Sequence, residues 1–113
     1  MKYNLRVSLS FLKEAKRLGK RYRSLSDDIE NLRKDILANP TLGTDLGNGL
    51  RKIRMQITSK GKGKSGGARV ITFTVIAAMD ETDVNLLFIY DKTERSNITK
   101  SEIERLLKDN SLK

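Results

Sequence analysis

Cysteine, histidine and tryptophan are all absent from the 113-residue chain. Without cysteine there is no disulfide and no thiolate metal site, and without histidine the commonest metal ligand and the usual proton shuttle near neutral pH are missing. No metal and no cofactor is therefore expected, and any acid–base chemistry falls to lysine, tyrosine or carboxylates. Aromatic residues make up only 5% of the chain, so base stacking has few side chains to draw on and phosphate gripping is the stronger expectation for any nucleic-acid contact. No apolar run approaches the roughly 18 residues of a membrane span, and the opening MKYNLRVSLSFLK lacks the unbroken apolar stretch of a signal peptide. The expectation is a soluble cytoplasmic protein with no membrane partner.

Positive charge is abundant. Lysine and arginine number 23 against 14 acidic residues, a formal charge of +9, and such a balance favours polyanions, nucleic acid first, as partners. The length fits a single domain over residues 1–113, long enough to bury roughly two-thirds of its unfolded surface around one core.

The hydrophobic pattern divides the chain into elements. In residues 2–8, KYNLRVS, Tyr3, Leu5 and Val7 alternate onto one face and predict a short strand. Phe11, Leu12, Ala15 and Leu18 then fall at helical spacing, leaving Lys13, Lys16, Arg17 and Lys20 to solvent. This helix is expected to end between Gly19 and Tyr22. SLSD offers Ser24 as an N-cap with Asp27 as its capping-box partner, ahead of a second helix that buries Leu25, Ile29, Leu32 and Ile36 and is stopped by Pro40. Residues 41–49, with three glycines, are expected to form a connector.

Beyond it the period becomes two. Ile53, Met55 and Ile57 would face a core while Lys52, Arg54 and Gln56 line the opposite side of that strand. Residues 69–77 and 84–91 are β-branched or aromatic and more continuously apolar, as inner strands are, with MDETD turning between them. Thr99 and Glu102 make a second capping box, opening a short helix buried through Ile103, Leu106 and Leu107. The predicted class is α+β: an N-terminal strand, a helical hairpin packed on one sheet face, a three-stranded antiparallel meander and a short C-terminal helix.

The segment RKIRMQITSKGKGKSGGARV, residues 51–70, holds no acid, and none occurs from Leu46 to Met79. GKS at Gly63–Ser65 invites a phosphate-loop reading, but Thr58 stands where that motif needs its first glycine, and a strand rather than a helix follows. A lysine-rich loop can also serve solubility alone. Here Lys52 and Arg54 share one side of a strand, Arg69 starts its expected partner, and Lys60, Lys62 and Lys64 lie between them. Like charges so close repel, and a purely structural role would interleave acids. The glycines would let main-chain N–H groups approach phosphate oxygens.

The string GLRKIRMQITSKGKGKSGGARVI followed by LLFIYDKTERSNIT, after two amphipathic helices, resembles the RelE/ParE superfamily of type II toxin–antitoxin toxins, most closely its HigB-like branch. The resemblance implies a RelE-like fold and a ribosome-dependent endoribonuclease (an mRNA interferase). Its partners would be mRNA on the ribosome, ribosomal RNA and a cognate antitoxin. ParE-like members instead inhibit DNA gyrase, and a non-catalytic nucleic-acid-binding domain is a third possibility. By resemblance, Lys52 and Arg54 occupy the family's paired basic positions, Arg69 is the arginine that contacts the scissile phosphate, and Lys92 follows the last strand in a YDK context typical of the branch; with Tyr90 these are the candidate catalytic residues. Arg51, Lys60, Lys62 and Lys64 are the candidate cations for RNA and ribosome. Classical RelE proteins carry an arginine and a stacking tyrosine where this chain has Thr93 and Thr99, which makes Tyr90 the candidate for stacking or proton transfer. Two blander readings stand beside these roles: Tyr90 as a core residue, and Lys92 and Arg95 as solvating a turn.

Overall fold

The computed structural model describes residues 2–113. The chain runs through β1 (Lys2–Val7), α1 (Leu9–Arg21), α2 (Leu25–Ala38), β2 (Thr44–Gly47), β3 (Leu50–Met55), a 3-10 turn at Thr58–Lys60, β4 (Ala68–Ala78), β5 (Glu81–Asp91) and α3 (Lys100–Asp109). The architecture is the expected α+β arrangement, but the sheet is larger than a three-stranded meander. Five strands lie in the order β1-β5-β4-β3-β2. β2 to β5 are antiparallel neighbours, whereas β1 pairs in parallel with β5, Leu5 opposite Val84. A parallel neighbour needs a long crossover, and the chain between β1 and β5 supplies it.

Local chemistry accounts for most boundaries. The Ser8 hydroxyl accepts from the Phe11 amide at 3.0 Å and caps α1. Thr99 and Glu102 form the reciprocal capping box that starts α3. Ser24 behaves otherwise than predicted: it flanks α2 in helical conformation with no capping bond. Its hydroxyl instead donates to Asp28 at 2.8 Å and accepts from the Ser59 amide at 2.8 Å, and the Asp28 carboxylate takes both the amide and the hydroxyl of Thr58. The start of α2 is thus tied to the 3-10 turn rather than closed on itself.

Three further expectations shift. Thr44–Gly47 is an edge strand, not only a connector, because it pairs with Leu50–Lys52. The MDETD turn shrinks to Met79 and Asp80, since Glu81, Thr82 and Asp83 pair with β4 on one side and β1 on the other. Leu12 is half exposed rather than core, because α1 turns Phe11, Ala15 and Leu18 toward the sheet and Leu12 lies about 100° around from Phe11.

Two cores result, one on each sheet face. α1 and α2 bury Phe11, Leu18, Leu32 and Ile36 against Ile53, Val70 and Ile89. α3 covers part of the other face, setting Ile103 and Leu107 on Leu50, Ile71, Leu87 and Tyr90. The remainder of that second face carries the cations.

Candidate active site

Strand alternation puts Leu50, Lys52 and Arg54 on the face that α3 partly covers. Register completes the cluster: Arg54 lies opposite Arg69 on β4, and Arg69 opposite Tyr90 on β5. Directly opposed residues on neighbouring strands have Cβ atoms about 5 Å apart, so Arg54, Arg69 and Tyr90 form a row across three strands with Lys52 one step along. None of the three cations is paired to a carboxylate among the described residues. The Lys52 ammonium donates to Asn97 Oδ1 at 2.9 Å. Arg54 is exposed and makes no side-chain hydrogen bond or ion pair among the described residues. Arg69 is 6% exposed, and its guanidinium donates only to main-chain oxygens, those of Lys64 at 3.0 Å, Ala68 at 3.2 Å and Ser65 at 3.3 Å.

Facing arginines on adjacent strands oppose folding. Arg54→Thr is therefore expected to raise stability by about 0.2–1 kcal/mol, read as a higher urea midpoint at unchanged slope. A lowered midpoint would mean that Arg54 stabilises the sheet and is held there for that reason.

Tyr90 is 3% exposed, and its hydroxyl is buried without a hydrogen-bond partner among the described residues. Burial raises its pKa above the ordinary tyrosine value, against the opposing fields of Arg69 and Arg95, so at neutral pH it is a phenol with a proton to give. The Arg95 guanidinium lies 5.5 Å from the ring centroid. Arg95 in turn donates to the Asn97 carbonyl at 3.0 Å and to Glu102 at 2.6 Å. That arginine first, then the Thr99 amide and hydroxyl, lower the Glu102 carboxyl to about 2. Asn97 is the site neighbour that sequence reasoning missed, and Arg95, read there as only solvating a turn, is the one it undervalued. A turn has no period to expose them, although the Glu102 cap showed where a cation could anchor.

The loop that supports Arg69 is held from beneath. Lys60, expected among the RNA-binding cations, turns inward: its side chain is 8% exposed and its ammonium donates to the fully buried Asp91 at 2.7 Å and to the Gly66 carbonyl at 2.8 Å. Tyr22 donates to the same carboxylate at 2.6 Å, and Thr93 adds its amide and hydroxyl. Burial pushes the Asp91 carboxyl up, but these hydrogen bonds, that of Lys60 foremost, hold it well below the usual carboxylate range. A depressed carboxyl contributes stability above its unfolded pKa, near 4, and loses it as the pH falls toward the folded value. Asp91→Asn should accordingly be less stable than the parent at pH 7 yet show a flatter decline in urea midpoint between about pH 4 and 2. Parallel pH profiles for the two proteins would contradict this.

The remaining candidates separate. Lys62 and Lys64 are exposed on the loop without side-chain partners among the described residues, near the row. Arg51 points to the other sheet face, where it donates to the Thr41 and Gly43 carbonyls and approaches Asp45 at 3.9 Å. Lys92 donates to the Ser96 carbonyl at 2.6 Å, within its own turn. The loop glycines serve the fold as much as any anion. Gly61 and Gly63 take the left-handed conformation, and the amides of Gly61 and Gly67 donate within the loop, to Thr58 and Lys64. Gly67 passes so near the Met55 carbonyl that no side chain would fit. Thr93 and Thr99 are also structural, the first on Asp91 and the second as the α3 cap.

Among the described residues no three carboxylates converge as a metal site would require, and no helix is long and apolar enough to cross a membrane. The chemistry on offer is that of cations and one phenol: they can grip a phosphodiester, neutralise charge that develops on it and supply a proton. A family model described as RelE toxin of the RelE / RelB toxin-antitoxin system matches residues 9–111.

Proposed function

Since the chain belongs to the RelE toxin family, we propose that it is a HigB-like, ribosome-dependent endoribonuclease that cuts mRNA without a metal ion. Family membership also implies a partner, the antitoxin of its toxin–antitoxin system. The observation that carries the nuclease reading is the row Arg54, Arg69, Tyr90 with Lys52 beside it, every cation in it free of a carboxylate.

Cutting RNA through its own 2′-hydroxyl requires that oxygen to lose a proton and attack the adjacent phosphorus while the 5′-oxygen leaves and is protonated. Negative charge grows on the two non-bridging oxygens in between. Arg69 meets that charge, its orientation preset by the loop carbonyls, and Arg54 meets it from the neighbouring strand. Lys52, positioned by Asn97, takes the 2′ proton as the neutral amine, after releasing a proton of its own to solvent. Tyr90, kept protonated by burial, gives its proton to the departing 5′-oxygen. The products are a 2′,3′-cyclic phosphate and a 5′-hydroxyl. Ribosomal RNA and the codon–tRNA pair orient the substrate, with Lys62, Lys64 and the rest of the basic surface drawing the protein to the ribosome.

Primer extension on cellular mRNA after brief induction tests this. Breaks in phase with codons are expected, and only on translated messages. Growth arrest with gyrase-linked DNA damage and no mRNA breaks would replace this reading with gyrase inhibition.

A further inference from the structure

Around the open edge of β3 from the cationic row, on the sheet face that α2 covers, lies a groove that the cleavage mechanism does not use. β2 pairs with β3 no further than Lys52, so no β2 residue covers Ile53–Met55 on that side. α2 stands across from this open stretch, and the cavity between them measures about 490 Å³. Arg54 and Lys64, from the strand and loop of the proposed active site, form its cationic mouth. Leu32 and Met55, each 4% exposed, lie at its floor. Asn31 and Asp35 from α2 and Gln56 at the end of β3 line its walls, and their side chains make no hydrogen bond or ion pair among the described residues. Asp28, also in the wall, differs, since Ser24 and Thr58 engage its carboxylate.

We infer that this groove is a nucleotide subsite that receives the base next to the scissile phosphate. The inference rests on the ribonuclease reading and adds a specificity element to it. An apolar floor suits the flat face of a base, and free amides match the donors and acceptors of its edge. Asp35 narrows the occupant. A carboxylate repels a phosphate, so the phosphates must stay at the Arg54 and Lys64 mouth while the base enters. A carboxylate accepts hydrogen bonds and donates none, which favours a base with an exocyclic amino group and disfavours uracil, whose single N3–H donor is flanked by two carbonyl oxygens that the carboxylate repels. Asp35 is thus the discriminating residue, with Asn31 and Gln56 orienting the same base.

The test is single-turnover cleavage on programmed ribosomes, with messages that differ only at the nucleotide on either side of the cut. The parent is expected to cut messages with guanine, adenine or cytosine at one of those positions roughly tenfold faster than the uracil message. Asp35→Ala should level that difference while the position of the cut is unchanged. A parent rate that ignores both neighbouring bases, or an unaltered preference in Asp35→Ala, overturns the inference and leaves the nuclease reading intact.

A second measurement covers a chain that fails to cut. In solution, 2′-O-methyl trinucleotides should perturb the side-chain amide signals of Asn31 and Gln56 by amounts that depend on the base. Perturbation confined to Arg69 and the 61–67 loop rejects the subsite alone. Perturbation at neither place rejects the RNA site with it. Signals that move with the purified antitoxin but not with RNA assign the groove to protein binding and also overturn the inference.

Discussion

Replacing Arg69 by alanine is expected to slow mRNA cutting on the ribosome by at least about a hundredfold, the usual effect of losing a group aimed at charge that develops in the transition state. From the chain alone, Arg69 is a phosphate residue with nothing to do in the core, and its loss would leave stability nearly untouched. The structure alters the second half of that expectation. Arg69 is almost fully buried and ties the carbonyls of Lys64 and Ser65 to the strand. Hydrogen bonds from a charged group contribute about 1.5–3 kcal/mol, so Arg69→Ala should also lower the urea unfolding free energy by that order. Arg69→Lys separates the two effects. It keeps a positive charge but cannot fork between two carbonyls, so cutting should remain depressed while solubility and net charge stay as they were. A chain that cuts normally with alanine at position 69 would remove the central cation from the mechanism.

The largest stability effect is expected at Lys60. Removing one partner of a buried ion pair strands the other charge, at about 3–5 kcal/mol, and Asp91 has no access to water. Lys60→Met should therefore shift the urea midpoint more than any substitution among the exposed lysines. Cutting should fall with it although Lys60 turns inward, away from the cationic row, because the Gly66 carbonyl and the loop that holds Arg69 lose their anchor. Adding Asp91→Asn to Lys60→Met should recover part of the loss, since the stranded charge disappears; two independent sites would add instead. If Lys60→Met lowered ribosome binding with no change in unfolding, the residue would belong to the RNA surface after all.

Much of the fold was legible because its signals are local. Period-two and period-3.6 patterns located four of the five strands and all three helices, and the Thr99 and Glu102 box marked the start of α3 to the residue. What local patterns do not carry is pairing. Nothing in KYNLRV says that it joins β5 in parallel, and TDLG has too few residues to show a period at all. The site divides in the same way. Lys52 and Arg54 fall on one side of a strand by spacing, but in the glycine loop spacing does not distinguish Lys60 from Lys62 and Lys64. The difference lies in Asp91, 31 residues away, and Tyr22, 69 residues from that aspartate. Arg51 went to the far face for a reason that was legible, strand alternation against Lys52 and Arg54.

By itself, the sequence determined the class of the fold, the boundaries of most elements, the excess of positive charge and the residue types available for chemistry, since each depends on neighbours along the chain. Tertiary structure alone decided which cations face an anion and which are neutralised inside, because burial and pairing depend on what distant segments bring to the same point. Register put Arg54, Arg69 and Tyr90 in one row, and the buried carboxylate of Asp91 took Lys60 out of it.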